Sequence, residues 1–330
     1  MKILLIRFSS IGDIVITSPV IRAVRNKYPT AEIDFLTKKQ FAHLVEHSTY
    51  LNQIVTLNNN EGETISELKA NQYDLVIDLH KNLRTKRIKR ALKTRWISYS
   101  KINIQKWLFS NFKVNLLRDK HLVDRYFDSL TALDIRNDNQ GLEYFFPRVF
   151  QMNLDAHALK ERTYIALTVG GTYYTKQIPE DIILEVIKRL DAPLVLLGGG
   201  AADEEKAKQI VAKCNDGERV INLCSQLSMH ESAYVIKHAK SLITGDTGMM
   251  HIASAFDTPI EAVWGNTHPL FGMYAYRPEN KNINNHQVDL PCNPCSKLGS
   301  DNCPRGHFKC MMDQDVAQIV KNCSSIEPIQ

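Results

Sequence analysis

Apolar runs of three to six residues alternate with amphipathic stretches twice along this chain, and that alternation leaves few folds open. In the first half the spacing predicts strands at Ile3–Phe8, Glu32–Leu36, Gln53–Leu57, Leu75–Leu79 and Arg95–Ser98. Helices are expected at Ile14–Asn26 and His121–Leu133, with further helical patterns between the strands. After a loop near Asn137–Asn139 the pattern starts again, with strands at Tyr164–Val169, Leu194–Leu197, Val220–Asn222, Ser241–Ile243 and Ile260–Val263. The helices of this half are expected at Glu180–Leu190, Ala202–Cys214, Met229–His238 and Met249–Phe256. Strands that alternate with helices build parallel sheets covered on both faces. A chain of 330 residues is long for one core, so the expectation is α/β with two Rossmann-like domains facing a central cleft. Their expected spans are 1–158 and 159–330. Ligands of such sheets bind beyond the carboxyl ends of the strands.

Composition narrows the class. With 44% hydrophobic and 23% charged residues the chain reads as a soluble globular protein. No apolar run approaches the roughly 20 residues that span a bilayer. The opening Met1-Lys2-Ile3-Leu4-Leu5-Ile6-Arg7 reads as a first strand rather than a signal peptide. A cytoplasmic location is therefore expected.

The net charge of +5 conceals an asymmetry. Residues 1–150 carry 24 lysines and arginines against 15 acids, a balance of +9, and the remainder has a balance of −4. Between Lys81 and Arg125 stand 14 basic residues and only two acids, Asp119 and Asp124. Within that stretch Lys81–Arg90 is expected to form a basic helix, with Trp96, Tyr99, Trp107, Phe109 and Phe112 nearby. An ordinary solvated helix face is one reading. The others are an anionic acceptor, an anionic membrane surface or nucleic acid. No nucleic-acid motif accompanies the charge, so nucleic acid ranks last and is not expected as a partner.

Four loops at expected strand ends carry the chemistry. Ser241-Leu242-Ile243 runs into Thr244-Gly245-Asp246-Thr247-Gly248-Met249-Met250-His251 and a small-residue helix. A helix N-terminus there offers unpaired N–H groups beside a carboxylate, hydroxyls and an imidazole, which suits a phosphate or a sugar diphosphate. The alternative is a plain helix cap by Asp246 or Thr247. The first turn reads Ser9-Ser10-Ile11-Gly12-Asp13, without a G-x-G-x-x-G, so a nicotinamide enzyme is not expected. Asp13 is either a general base or a first-turn acid favoured by the helix dipole. Gly170-Gly171 leads through Lys176 to Pro179, a glycine-rich loop able to set an ammonium against a phosphate. Finally, Gly198-Gly199-Gly200 precedes Asp203, Glu204 and Glu205.

Taken together, Ser9–Asp13, Lys176-Gln177-Ile178-Pro179 and Asp246–His251 resemble glycosyltransferase family 9 over nearly the whole chain. These are the heptosyltransferases of the lipopolysaccharide inner core. The resemblance implies a GT-B fold, with the acceptor in the N-terminal domain and an ADP-sugar in the C-terminal one. It also implies that the last helix, 314–325, packs back on the first domain. By the same resemblance Asp13 is the base that deprotonates the acceptor hydroxyl, and Lys176 binds phosphate. Asp246, Thr247, Gly248 and His251 hold the diphosphate and donor sugar, Leu227 packs on adenine, and Asp203 meets the ribose. Apart from the resemblance, the first turn and the basic segment lead to the expectation that Ser9, Ser10, Gly12, Lys81 and Arg84 face an anionic lipid-linked saccharide. The expected reaction is an inverting transfer of heptose or a related sugar, with no cofactor, at the inner face of the inner membrane and in transient contact with it. A nucleotide-sugar epimerase or hydrolase of the same fold, and a non-catalytic docking protein that binds nucleotide sugars, are the alternatives.

The cysteines stand apart from this reading. Cys292, Cys295, Cys303 and Cys310 cluster with His307 near the end of the chain. Such clustering in a cytoplasmic protein suggests structural zinc. Reduced thiols packed in a tail loop fit as well, and the spacing leaves the choice open.

Overall fold

The computed structural model describes residues 1–214, 219–278 and 282–325. It divides into two compact units, Met1–Lys101 with Lys120–Phe150, and Ile102–Asp119 with Gln151 onward. In chain order the first unit contains β1 (Lys2–Ile6), α1 (Ile11–Val15), α2 (Ser18–Lys27), β2 (Glu32–Lys38), β3 (Gln53–Leu57), α3 (Glu61–Ala70), β4 (Leu75–Asp78), α4 (Leu83–Leu92) and β5 (Arg95–Ser98). Helix α5 (Asn103–Phe112) belongs to the second unit, and α6 (Leu122–Leu130) returns to the first.

The five strands pair in parallel in the order β3-β2-β1-β4-β5. Leu4 of β1 stands between Asp34 and Val76, and every residue of β1 after Lys2 is buried. One face of the sheet is sealed by Leu4, Ile6, Leu36, Val76 and Ile88. The single helix expected at Ile14–Asn26 is two helices. Pro19, at the start of α2, has no N–H to continue the ladder. The Thr17 and Ser18 hydroxyls donate back to the carbonyls of Ile14 (2.6 Å) and Val15 (2.8 Å), where the chain turns.

The second unit continues with β6 (Ile165–Thr168), α7 (Glu180–Arg189), β7 (Leu194–Leu197), α8 (Ala201–Lys213), β8 (Val220–Asn222), α9 (Met229–His238), β9 (Ser241–Gly245), α10 (Gly248–Ala253), β10 (Ile260–Trp264), β11 (Ile283–Gln287), α11 (Lys309–Met312) and α12 (Val316–Ser324). Its parallel sheet runs β11-β10-β9-β6-β7-β8. Side chains alternate between two cores, Ile165 and Leu167 in one, Ala166 in the other, as a sheet covered on both faces requires.

Three features depart from expectation. Strand β11 has the polar sequence Ile-Asn-Asn-His-Gln and no apolar alternation to announce it. It is held by the buried Glu261 of β10, which accepts from Asn284 (2.8 Å) and contacts His286 Nε2 at 2.5 Å. The closing helix, expected on the first domain, packs in its own unit. Val316, Ile319, Val320 and Cys323 of α12 join the core of Ile183 and Ile187, and Asn322 donates to Glu261 (2.9 Å). The boundary expected at 158/159 falls at 150/151, and α5 crosses it. Long-range contacts draw α5 over: Phe109 meets the rings of His268 and Phe271, and Lys113 Nζ donates to the carbonyls of Cys292 and Pro294.

If α12 is part of this core, Ile319→Ala lowers stability by about 2–4 kcal/mol in chemical denaturation. A loss below about 0.5 kcal/mol, the size of a surface change, would refute that placement.

Candidate functional site

Each sheet has one place where the winding reverses, between β1 and β4 in the first unit and between β6 and β9 in the second. Crevices open at the carboxyl ends of such strand pairs. The predicted residues other than Leu227, which follows β8, lie on or beside the loops at these two places.

In the first unit, the turn after β1 carries Ser9 and Ser10 into α1. Asp13 sits at the third position of that helix, and its Oδ2 accepts from the Ser10 backbone N–H (3.1 Å) and hydroxyl (2.9 Å). Its other oxygen meets Arg7 Nη2 at 2.5 Å. Arg7 is buried and fully engaged. It donates to Ser9 O (2.8 Å), Leu79 O (2.5 Å) and Tyr126 Oη (3.1 Å), tying the β1 turn to the end of β4 and to α6. Burial would raise the Asp13 carboxyl, but the Arg7 charge and the Ser10 donors outweigh it and hold it at about 2. Beside them lies His80, its ring 4.7 Å from that of Phe8. Burial, followed by the charges of Arg7 and Lys101, pushes its imidazole down to about 3, so it is neutral. Asp13 thus fills the capping role and the charged role at once.

The basic helix is shorter than expected at its start. Lys81 lies outside it in a left-handed conformation, with its amide on Asp78 (2.7 Å) and Nζ on Tyr99 O (2.8 Å). Asn82 caps α4 through a reciprocal pair with Thr85. Arg84 and Arg87 both lean on Glu61, Arg87 through two contacts of 2.6 Å.

In the second unit, Lys176 and Asp246 form an ion pair of 2.7 Å. Lys176 ends the short turn Tyr174–Lys176, and Asp246 directly follows β9. The turn comes this close because position 245 is glycine; a Cβ there would strike the Lys176 carbonyl. Asp246 also accepts from the Thr267 hydroxyl (2.9 Å) at the end of β10. Thr247 heads α10 with its hydroxyl 3.1 Å from that of Thr244, which reaches Thr168 at 2.7 Å, so a chain of hydroxyls bridges β6 and β9. Gly248 opens α10 and His251 is buried within it. Asp203 turns its carboxylate onto the Gly199 N–H (2.8 Å) and lies where a Cβ on Gly170 would be. Leu227 is half-buried against the apolar core under β7 and β9.

Several contributors were absent from the sequence expectation. Thr175 and Ser300 exchange bonds of 2.8 and 2.9 Å, and Asn266 donates to the Ser300 hydroxyl (2.9 Å), so the tail loop braces the Lys176 turn. Lys206, one turn beyond Asp203, donates to Val169 O (3.1 Å) and Ile178 O (2.7 Å), and burial lowers its ammonium to about 8. An isolated Lys or Thr in sequence announces none of this, because each acts across a long loop. Arg7 had a signal: a cation set directly after the apolar run Ile3–Ile6. The tail thiols are all free, with Cys292 Sγ 3.7 Å from His307 Nε2 and Cys303 Sγ accepting from Phe308 N–H at 3.4 Å. No three of the four sulfurs lie within 4.8 Å of one another.

Two α/β units with reversed-winding parallel sheets, one offering an ammonium beside glycine-rich loops, are an architecture suited to binding nucleotides. Residues 63–304 match Glycosyltransferase family 9 (heptosyltransferase), and the chain belongs to that family. It is therefore a glycosyltransferase. It is 27% identical to lipopolysaccharide heptosyltransferase 1 of Pseudomonas aeruginosa, over 90% of this chain and 86% of that one. Lipopolysaccharide heptosyltransferase 3 of Escherichia coli is 26% identical, over 82% and 83% respectively. Among solved structures, the ADP-heptose heptosyltransferase II of E. coli superposes with a TM-score of 0.74 at 19% identity, covering 99% and 98%. A family 9 glycosyltransferase of Veillonella parvula gives 0.76 at 19%, covering 98% and 96%. The fold is GT-B, as the sequence motifs implied.

The Asp13 carboxyl titrates below its ordinary 3.8, so its contribution to stability is complete above about pH 4 and is lost as pH falls toward 2. With Arg7→Met, burial acts unopposed by that charge, and the Asp13 midpoint rises by about one unit or more in an NMR titration of the carboxyl carbon. A midpoint still near 2 would refute the role given to Arg7.

Proposed function

We propose that this glycosyltransferase moves a heptose, or a related sugar, from an ADP-sugar to a lipopolysaccharide inner-core acceptor with inversion. The observation that carries the reading is the Lys176–Asp246 pair at the β6/β9 reversal, in a chain of this family. A departing diphosphate gathers negative charge in the transition state, and an ammonium held at that point opposes it. Lys176 takes this role. Asp246, Thr247, Gly248 and His251 line the diphosphate and sugar, Leu227 offers an apolar surface to adenine, and Asp203 meets the ribose. The donor is thereby assigned to the second unit and the acceptor to the first. No metal or cofactor enters the proposal.

Asp13 is the acceptor's base. A carboxylate held at about 2 is a weak base toward a resting alcohol. The alcohol becomes acidic only as it bonds to the electron-poor anomeric carbon, so Asp13 takes the proton late and stays ionised through the neutral range. Ser9, Ser10 and Gly12 surround it, and Lys81 and Arg84 supply positive charge toward carboxylates or phosphates of the acceptor. Both cations already hold protein partners, which the acceptor's anions replace. The acceptor is lipid-linked, so the protein works at the cytoplasmic face of the inner membrane in transient contact with it.

Calorimetric titration with ADP, UDP, GDP and CMP tests the donor assignment. ADP binds selectively, and both Lys176→Ala and Gly245→Ala weaken it by about tenfold or more, the loss of one charge-assisted contact. A preference for UDP or GDP would reject the ADP-sugar, and no binding would reject the donor site assigned here. Asp13→Asn lowers transfer by about 10²–10⁴-fold while leaving ADP affinity unchanged. Wild-type turnover by Asp13→Asn would remove the base assignment.

A further inference from the structure

Helix α5 has a held face and a bare face. Phe109 packs edge-on to His268 and Phe271 at 5.2 and 6.1 Å, and Lys106 lies over the Phe271 ring. Lys113, one turn on, is fixed on the Cys292 and Pro294 carbonyls. These residues are spaced three and four apart and form one side of the helix. On the other side, Ile104 is 73% exposed, Trp107 49% and Phe112 61%, with Trp107 and Phe112 in edge contact at 5.1 Å. Just beyond the helix the chain adds Val114 and Leu116, 45% and 61% exposed. No residue of α5 is buried.

Single exposed apolar side chains need no explanation, but a contiguous set is characteristic of an interaction surface. Among the described residues, five of the eleven exposed large hydrophobics fall in this stretch of thirteen residues. The helix is fastened by its opposite face, so the bare side is presented from an anchored element. Its ten residues span about 15 Å, and no helix of the described chain is long and apolar enough to cross a membrane. An apolar stripe of that length with an aromatic pair lies in the plane of a lipid–water interface, with Trp at the headgroup level.

Charge selects the occupant. Residues 101–120, the helix and the chain that runs directly into and out of it, hold five bases, Lys101, Lys106, Lys113, Arg118 and Lys120, and one acid, Asp119. A second copy of this chain would bring two positive stripes together, whereas an anionic lipid surface neutralises them. We propose that the outward face of α5, with Val114 and Leu116, docks on an anionic bilayer. This deepens the reading of a lipid-linked acceptor and rests on it for its purpose, but it is measured without either substrate, so the two fail separately.

The experiment uses the full chain with vesicles of phosphatidylethanolamine and phosphatidylglycerol, and with vesicles of phosphatidylcholine alone. Co-sedimentation is expected with the anionic vesicles, weakening with salt, and Trp107 fluorescence shifts to the blue on binding. Trp107→Ser/Phe112→Ser reduces the partition coefficient by about tenfold or more, while circular dichroism and ADP affinity stay unchanged. It raises KM for an acceptor embedded in vesicles and leaves KM for a delipidated acceptor as it was. No binding to anionic vesicles, or equal binding by wild type and the double variant, overturns the proposal. So does light scattering that shows a dimer which the double variant dissolves. Vesicle docking by a protein that binds no ADP would sustain this surface and reject the donor assignment instead.

Discussion

In a parallel sheet the crossover loops leave neighbouring strands toward the same face until the winding reverses, and there they part and leave a gap. Both chemical clusters of this protein occupy such gaps. At β1/β4 the gap is bounded by the turn after Ile6 and by Leu79–Lys81; at β6/β9 it is bounded by Gly170-Gly171 and by Asp246–Gly248. Backbone groups at the strand ends find no crossover partner there, so side chains take them up. Arg7 gathers two carbonyls in the first gap, and Lys206 gathers two beside the second.

Each gap is also furnished with a carboxylate–cation pair, and the two pairs are built differently. Arg7 presents a planar fork with every arm committed, so Asp13 faces a fixed charge. Lys176 is a point charge on a flexible stem, and Asp246 is steadied separately by Thr267. Removing ions from water is costly, and an incomplete pair in such a place is strongly unfavourable. The first arrangement therefore suits a group that must stay put and ionised. The second suits a charge that is to be handed from a protein carboxylate to an incoming anion.

The frame of this fold was legible because parallel strands are short and rich in apolar residues: the buried Leu194–Leu197 and the half-buried Gln53–Leu57 and Val220–Asn222 fall where the spacing placed them. What escaped was fixed by polar or distant contacts. Strand β11 is defined by Asn284 and His286 reaching Glu261, a pattern with no hydrophobic period. The allegiance of α5 depends on Phe109 finding Phe271, far along the chain. In the sites, motif residues that cap or follow strands were readable, whereas Thr267, Ser300 and Lys206 became visible only when the loops that carry them were folded. The Asp13 environment was half readable. Its position in a first turn follows from the sequence, but its acidity depends on Arg7 being buried against it.

The charge balance within the Lys176–Asp246 pair has a consequence for what the second unit accepts. An anion arriving there meets a lysine already satisfied at 2.7 Å, not a bare positive charge. A singly charged visitor merely substitutes for Asp246 and leaves that carboxylate repelled and buried. A ligand with adjacent phosphates brings enough charge and enough acceptor atoms to engage the ammonium and the glycine-rich backbone together. In the proposed donor site, the ion pair thus favours ligands of higher valence over singly charged anions.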